Sequence, residues 1–98
     1  MSAYVVARVR VTDPHQYSQY TQVTPETIAK YGGRFIARSP HVETLEGETE
    51  MGRVVILEFP SVERAKEWYH SPEYTEARDL RTGASEGTLI LVEGCDVS

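Results

Sequence analysis

Cysteine is nearly absent from this chain of 98 residues: Cys95 stands alone, so no disulfide can form within it. A fold held without cross-links fits a reducing cytoplasm. Long apolar runs are also missing. The longest, Val54 to Leu57 and Leu89 to Val92, fall far short of the roughly 20 residues that span a bilayer, and no membrane partner is expected. The chain does not open with a basic segment, an apolar run and a small-residue cleavage site, so export is not expected either. Positive charge is scarce. Ten Lys and Arg against fifteen Asp and Glu leave a net charge of -5, and the arginines form no stripe, which disfavours nucleic acid as a partner. No dinucleotide or phosphate loop and no nucleophile-elbow serine occurs. His15, His41 and His70 lack metal-ligand spacing, and only His41 would be a candidate axial ligand for haem, so neither metal nor cofactor is expected.

What the chain does have is alternation. Successive strand side chains point to opposite faces. In Tyr4 to Val11 this sets Val5, Ala7, Val9 and Val11 against Tyr4, Val6, Arg8 and Arg10. Gly33 to Arg38 sets Phe35 and Ala37 against Arg34, Ile36 and Arg38, and Arg53 to Phe59 sets Val55, Leu57 and Phe59 against Val54, Ile56 and Glu58. The first face of each strand reads as core. The second is apolar and charged at once, whereas a face turned to water would be polar throughout. Something is expected to cover it.

Asp13-Pro14 marks a helix start, with Asp capping free N–H groups and Pro at the first helical position. Tyr17, Tyr20, Thr24, Ile28 and Tyr31 recur at helical spacing as one buried stripe. Pro25 should kink this helix, or Thr24 should restart it, and Gly32-Gly33 should end it. Glu43 to Gly52 carries four glutamates and two glycines and reads as a solvated hairpin loop, a cation site being the sharper alternative. Ser61 caps a second helix with Val62, Ala65, Trp68 and Tyr69 inward. Ser71-Pro72 caps a further stretch through Tyr74, Ala77 and either Leu80 or Arg81, with a break near His70. Thr88 to Val92 is the last strand, apolar on both faces, as if covered on two sides. The order β-α-β-β-α-β is the ferredoxin-like plan, an α+β fold in which a four-stranded antiparallel sheet carries both helices on one face. One such domain takes up residues 1–98. A second copy laid sheet to sheet would cover the open face, which makes the chain itself the expected partner, as a homodimer.

Several stretches resemble hallmarks of the uncharacterised domain-of-unknown-function 1330 family: Gly32-Gly33-Arg34-Phe35, Leu45-Glu46-Gly47, Val55-Ile56-Leu57-Glu58-Phe59-Pro60-Ser61, Trp68-Tyr69-His70-Ser71-Pro72-Glu73-Tyr74 and Leu91-Val92-Glu93-Gly94. Their order and spacing cover nearly the whole chain. The resemblance implies the dimeric α/β barrel superfamily, in which two ferredoxin-like sheets pack into a barrel. It implies no settled activity; the superfamily includes cofactor-free monooxygenases, lactone isomerases and haem enzymes. Where many members of the family follow the strand-two arginine with paired glycines, this chain has Arg38-Ser39-Pro40-His41.

By parity Arg8, Arg34 or Arg38, and Glu58 share one face and could converge in the barrel or between a sheet and its helices. A buried guanidinium offers two charge-assisted bonds to a carboxylate or enolate. Glu58, if desolvated, would have its pKa raised and serve as a general base. Alternatively, these charges only fix dimer register. Tyr17, Tyr20, Trp68, Tyr69 and Tyr74 either wall a pocket for a flat aromatic ligand or pack as core. Arg78 could reach Glu58 or an anion. The chain is thus expected to bind a small anionic or aromatic compound, as an enzyme of the cofactor-independent monooxygenase or isomerase kind or as a binder. The alternative is a non-catalytic dimeric module with a structural or regulatory role. A cavity of roughly 300 Å³ or more at Arg34, Arg38 or Glu58 would favour the first reading, and a filled interior with a closed ion pair the second. A bulge near Ser39-Pro40 would reverse the faces downstream.

Overall fold

The computed structural model describes residues 1–50 and 52–95. Strand β1 (Ala3–Val11) leads through Asp13, whose side chain accepts from the Gln16 N–H, into helix α1 (Pro14–Lys30). α1 runs on through Pro25 as one helix, not restarting at Thr24; the Thr24 hydroxyl instead donates back to the Tyr20 carbonyl at 2.6 Å. Strands β2 (Arg34–Ser39) and β3 (Arg53–Phe59) follow, separated by the glutamate-bearing loop. Ser61 caps α2 (Val62–His70), and Ser71 both ends that helix and caps α3 (Pro72–Asp79), giving the break expected near His70. β4 (Ser85–Glu93) is longer at both ends than its apolar run suggests, because its whole length pairs with β1.

The four strands form one antiparallel sheet in the order β2-β3-β1-β4. Ile28, Phe59, Trp68 and Tyr74 are fully buried between the sheet and the helices. The buried indole N–H of Trp68 donates to the Thr27 hydroxyl at 3.1 Å, so the largest core side chain has its polar atom satisfied. At Gly33 a Cβ would stand 2.5 Å from the Phe59 ring and 2.9 Å from Ile28; only glycine lets β2 leave α1 so close to this core.

The opposite face of the sheet is left open, with Ile36, Ile90 and Val92 exposed upon it or beside it. β4, expected to be covered on both faces, is mostly exposed in the single subunit. It is an edge strand.

The register of β2 corrects the parity of the sequence. Arg34 stands opposite Glu58 and Phe35 opposite Leu57, but Ala37 then meets Ile56 and Arg38 meets Val55, because a bulge at Ile36 takes up one residue. Arg38 therefore leaves the open face that Arg8, Arg34 and Glu58 share and turns with Val55 to the helix side. Ala37, expected in the core, moves the other way.

Candidate functional site

Three rows of the sheet floor a space beneath the helices. At the outer end Arg53 lies opposite Val9, and Val9 opposite Gly87. In the middle Arg38 pairs with Val55, which shares its row with Ala7 and Leu89. At the inner end come Phe35, Leu57 and Val5. Helix α1 roofs these rows in the same sense: Tyr17 packs with Val9 at the outer end and Ile28 with Val5, Leu57 and Trp68 at the inner. Between floor and roof lies a cavity of about 70 Å³ whose wall includes Tyr17, Tyr20, Arg38, Arg53, Trp68 and Arg81.

Arg81 reaches it because the turn after α3 is held down. The Gln16 side-chain amide donates to the Leu80 and Thr82 carbonyls, at 3.1 and 2.8 Å, on either side of Arg81. The guanidinium lies over the Tyr20 ring, 5.3 Å from its centroid, and that of Arg38 lies over Phe35 at 4.3 Å. Elsewhere four guanidiniums are tied to carboxylates, Arg8 to Glu50, Arg10 to Glu86, Arg34 to Glu58 and Arg64 to Glu67, and Arg78 stacks on Tyr69. Arg38, Arg53 and Arg81 have no carboxylate in ion-pair range among the described residues, and no Asp, Glu or His lines the cavity. In a chain with fifteen acidic residues, three arginines facing an acid-free apolar space form a site receptive to an anion.

The cavity offers hydrogen-bond donors and no base. Burial pushes the Tyr17 hydroxyl above its usual range against the pull of Arg53 and Arg81. Tyr20 is pushed up further, by burial first and then by Tyr74, whose hydroxyl is 2.8 Å from its own. Both phenols stay protonated at neutral pH. The arrangement can hold and stabilise a negative charge, an enolate included, but any proton must be abstracted by the ligand itself or by water.

The expected site residues divide between two faces. Arg38, Tyr20 and Trp68 meet at the cavity. Arg8, Arg34 and Glu58 lie on the other side of the sheet, where Glu58 accepts from Arg34 Nε at 2.7 Å and from the Tyr4 hydroxyl at 3.2 Å. The Arg34 bond chiefly holds the Glu58 carboxyl below its usual range, the reverse of the shift a desolvated base would show. Tyr69 and Arg78 stack on each other at 4.7 Å, Tyr69 also bordering a groove beside β4. The volume criterion for the ligand reading is not met: the cavity at Arg38 is smaller than 300 Å³, and Arg34 and Glu58 form the closed pair expected of a dimeric module. Arg53 and Arg81 went unnoticed in the sequence. Parity with Val55 two residues on was the signal for Arg53, whereas Leu80 competed with Arg81 for the helical stripe. Among the described residues no cluster of three or more His, Cys, Asp or Glu could hold a metal ion, and no helix is long and apolar enough to cross a membrane.

The profile of the Domain of unknown function (DUF1330) matches residues 2–95. The chain belongs to the DUF1330 family. No curated protein matches it. Among solved structures, this DUF1330 chain is similar to RPA0582, a protein of unknown function from Rhodopseudomonas palustris, with a TM-score of 0.80 and 21% identity over 98% of this chain and 84% of that one. It is also similar to SnoaB, a cofactor-independent oxygenase from Streptomyces nogalater, with a TM-score of 0.70 and 14% identity over 98% and 95%. An EthD-family protein from Bacillus halodurans gives a TM-score of 0.65 and 14% identity over 97% and 100%. At these identities the likeness establishes the fold, that of the dimeric α/β barrel proteins.

Proposed function

We propose that this DUF1330 protein is a homodimer that binds a small anionic or aromatic compound in the cavity beneath its sheet, with Arg38 holding the charge. The observation that carries this is the set of three arginines around an apolar cavity with no carboxylate in ion-pair range among the described residues. Arg53 and Arg81 are half-buried and Arg38 is exposed, and an anionic ligand would give these guanidiniums a counter-charge through charge-assisted bonds. The likeness of fold to a cofactor-independent oxygenase is compatible with an enzyme of that kind, as is a site able to stabilise an enolate. On the open face the closed pair of Arg34 and Glu58 favours a role in specifying how two subunits meet. The two readings of the sequence thus fall to different residues: pairing to Arg8, Arg34 and Glu58, and ligand binding to Arg38, Tyr20 and Trp68.

The test is thermal-shift screening of the whole chain against small carboxylates and aromatic acids, since a ligand bound only by the folded state raises its melting temperature. Acids that bind should do so less well in Arg38→Gln and equally well in Arg34→Gln. A screen in which no acid moves the melting temperature would sink the proposal.

A further inference from the structure

The cavity is graded along its length, and the grading fixes which way a ligand lies. At its outer end Arg53 shares a row with Val9, and both line the cavity together with Tyr17 and Thr21. The same four residues also line a wider vestibule of about 480 Å³ with Pro14, Pro40 and Gly52. Arg81 lies over the Tyr20 ring, one turn further along α1 than Tyr17. Two rows further in, roughly 13 Å along the strands, the wall is Phe35, Leu57, Val5, Ile28 and Trp68. That end has no free polar atom to offer. The Trp68 N–H is spent on Thr27, the Thr24 hydroxyl on the Tyr20 carbonyl, and no buried side-chain N or O among the described residues lacks a partner.

A charge placed at the inner end would lose its water and gain nothing, whereas towards the outer end it meets Arg53, with Arg38 and Arg81 between the two ends. The volume sets the size. About 70 Å³ has room for roughly five or six non-hydrogen atoms, on the scale of one small ring.

We infer that the ligand is a monocarboxylic acid whose apolar body is no larger than a single ring, bound apolar end inward with its carboxylate among Arg38, Arg53 and Arg81. This rests on the ligand reading above and adds Arg53 and Arg81 as specificity-determining residues. It follows that a second charge opposite the first is rejected, although the site is rich in arginine.

Isothermal titration of the whole chain with benzoate, benzamide and terephthalate tests this without depending on any variant's folding. Benzoate should bind, with benzamide and terephthalate each weaker by more than about tenfold, and Arg53→Gln should lose about tenfold for benzoate. Binding of terephthalate as tight as that of benzoate, or benzoate binding unchanged in Arg53→Gln, overturns the orientation while leaving an anion site in place. Failure of benzoate and of every other small acid to bind overturns the orientation and the ligand reading together.

Discussion

Truncating Ile90 should weaken the dimer far more than its place on an edge strand would suggest. Ile90 is 54% exposed in the single subunit and lies opposite Val6, which in turn lies opposite Ile56, on the open face. Full burial of an isoleucine side chain is worth about 1.5–3 kcal/mol, so covering the exposed half gains about 0.8–1.6 kcal/mol. A two-fold interface counts it twice. Ile90→Ala should therefore cost about 2–3 kcal/mol of association, roughly a 30- to 150-fold rise in the dimer Kd, since each 1.4 kcal/mol is tenfold. Sedimentation equilibrium over a dilution series measures this, with circular dichroism confirming that the variant is folded. Leu45, which is 91% exposed in the loop between β2 and β3, supplies the control: Leu45→Ala should leave association unchanged. An unaltered Kd in Ile90→Ala, or a wild-type chain that stays monomeric at micromolar concentration, would refute the argument that a second copy covers this face.

Three further outcomes follow from other parts of the molecule. Glu58→Gln removes the carboxylate that Arg34 and Tyr4 share and should loosen the dimer while leaving acid binding in the cavity intact; calorimetry that showed the reverse would return Glu58 to the ligand site. Gly33→Ala drives a methyl group into Phe59 and Ile28, and overpacking of this sort costs about 1–3 kcal/mol; urea denaturation showing a loss under about 0.5 kcal/mol would contradict the packing. Lys30, whose ammonium is 2.7 Å from Glu73, chiefly holds that carboxyl below its ordinary value of 4.5 and is itself raised above 10.5, chiefly by its hydrogen bond to Glu73. The stability contributed through Glu73 is present above pH 4.5 and is lost as the pH falls through the lowered value. That contributed through Lys30 is present below pH 10.5 and is lost as the pH rises through the raised one. In urea denaturation at a series of pH values, Glu73→Gln should be less sensitive than wild type at both ends, and an unchanged profile would count against the pair.

Much of this architecture was legible because strand and helix periods differ. The alternation in Ala3–Val11 and Arg53–Phe59 separated the two faces of the sheet correctly, and the caps at Asp13, Ser61 and Ser71 located the helix starts. The site was legible only in part. Tyr20 and Trp68 stood out by their spacing, but whether Trp68 is core or wall depends on a third dimension, and in the fold it is both. Arg38 was placed on the wrong face, since nothing in Arg34-Phe35-Ile36-Ala37-Arg38 announces a bulge. Arg81 depends on a tether from Gln16, 65 positions away in the chain, which no local pattern reveals. The chemistry of Glu58 was misjudged because its hydrogen-bond partners, not its degree of burial, set its acidity.

The extra residue at Ile36 has a consequence for how such a protein can change. Deleting Ile36 would leave Ala37 opposite Ile56 and Arg38 opposite Val55, whereas straightening the strand with every residue kept would turn Arg38 to the open face and draw Ala37 inward. The codon for Ile36 can thus be lost without moving any charge across the sheet, and it is the unpaired residue, while present, that keeps Arg38 over the helix side.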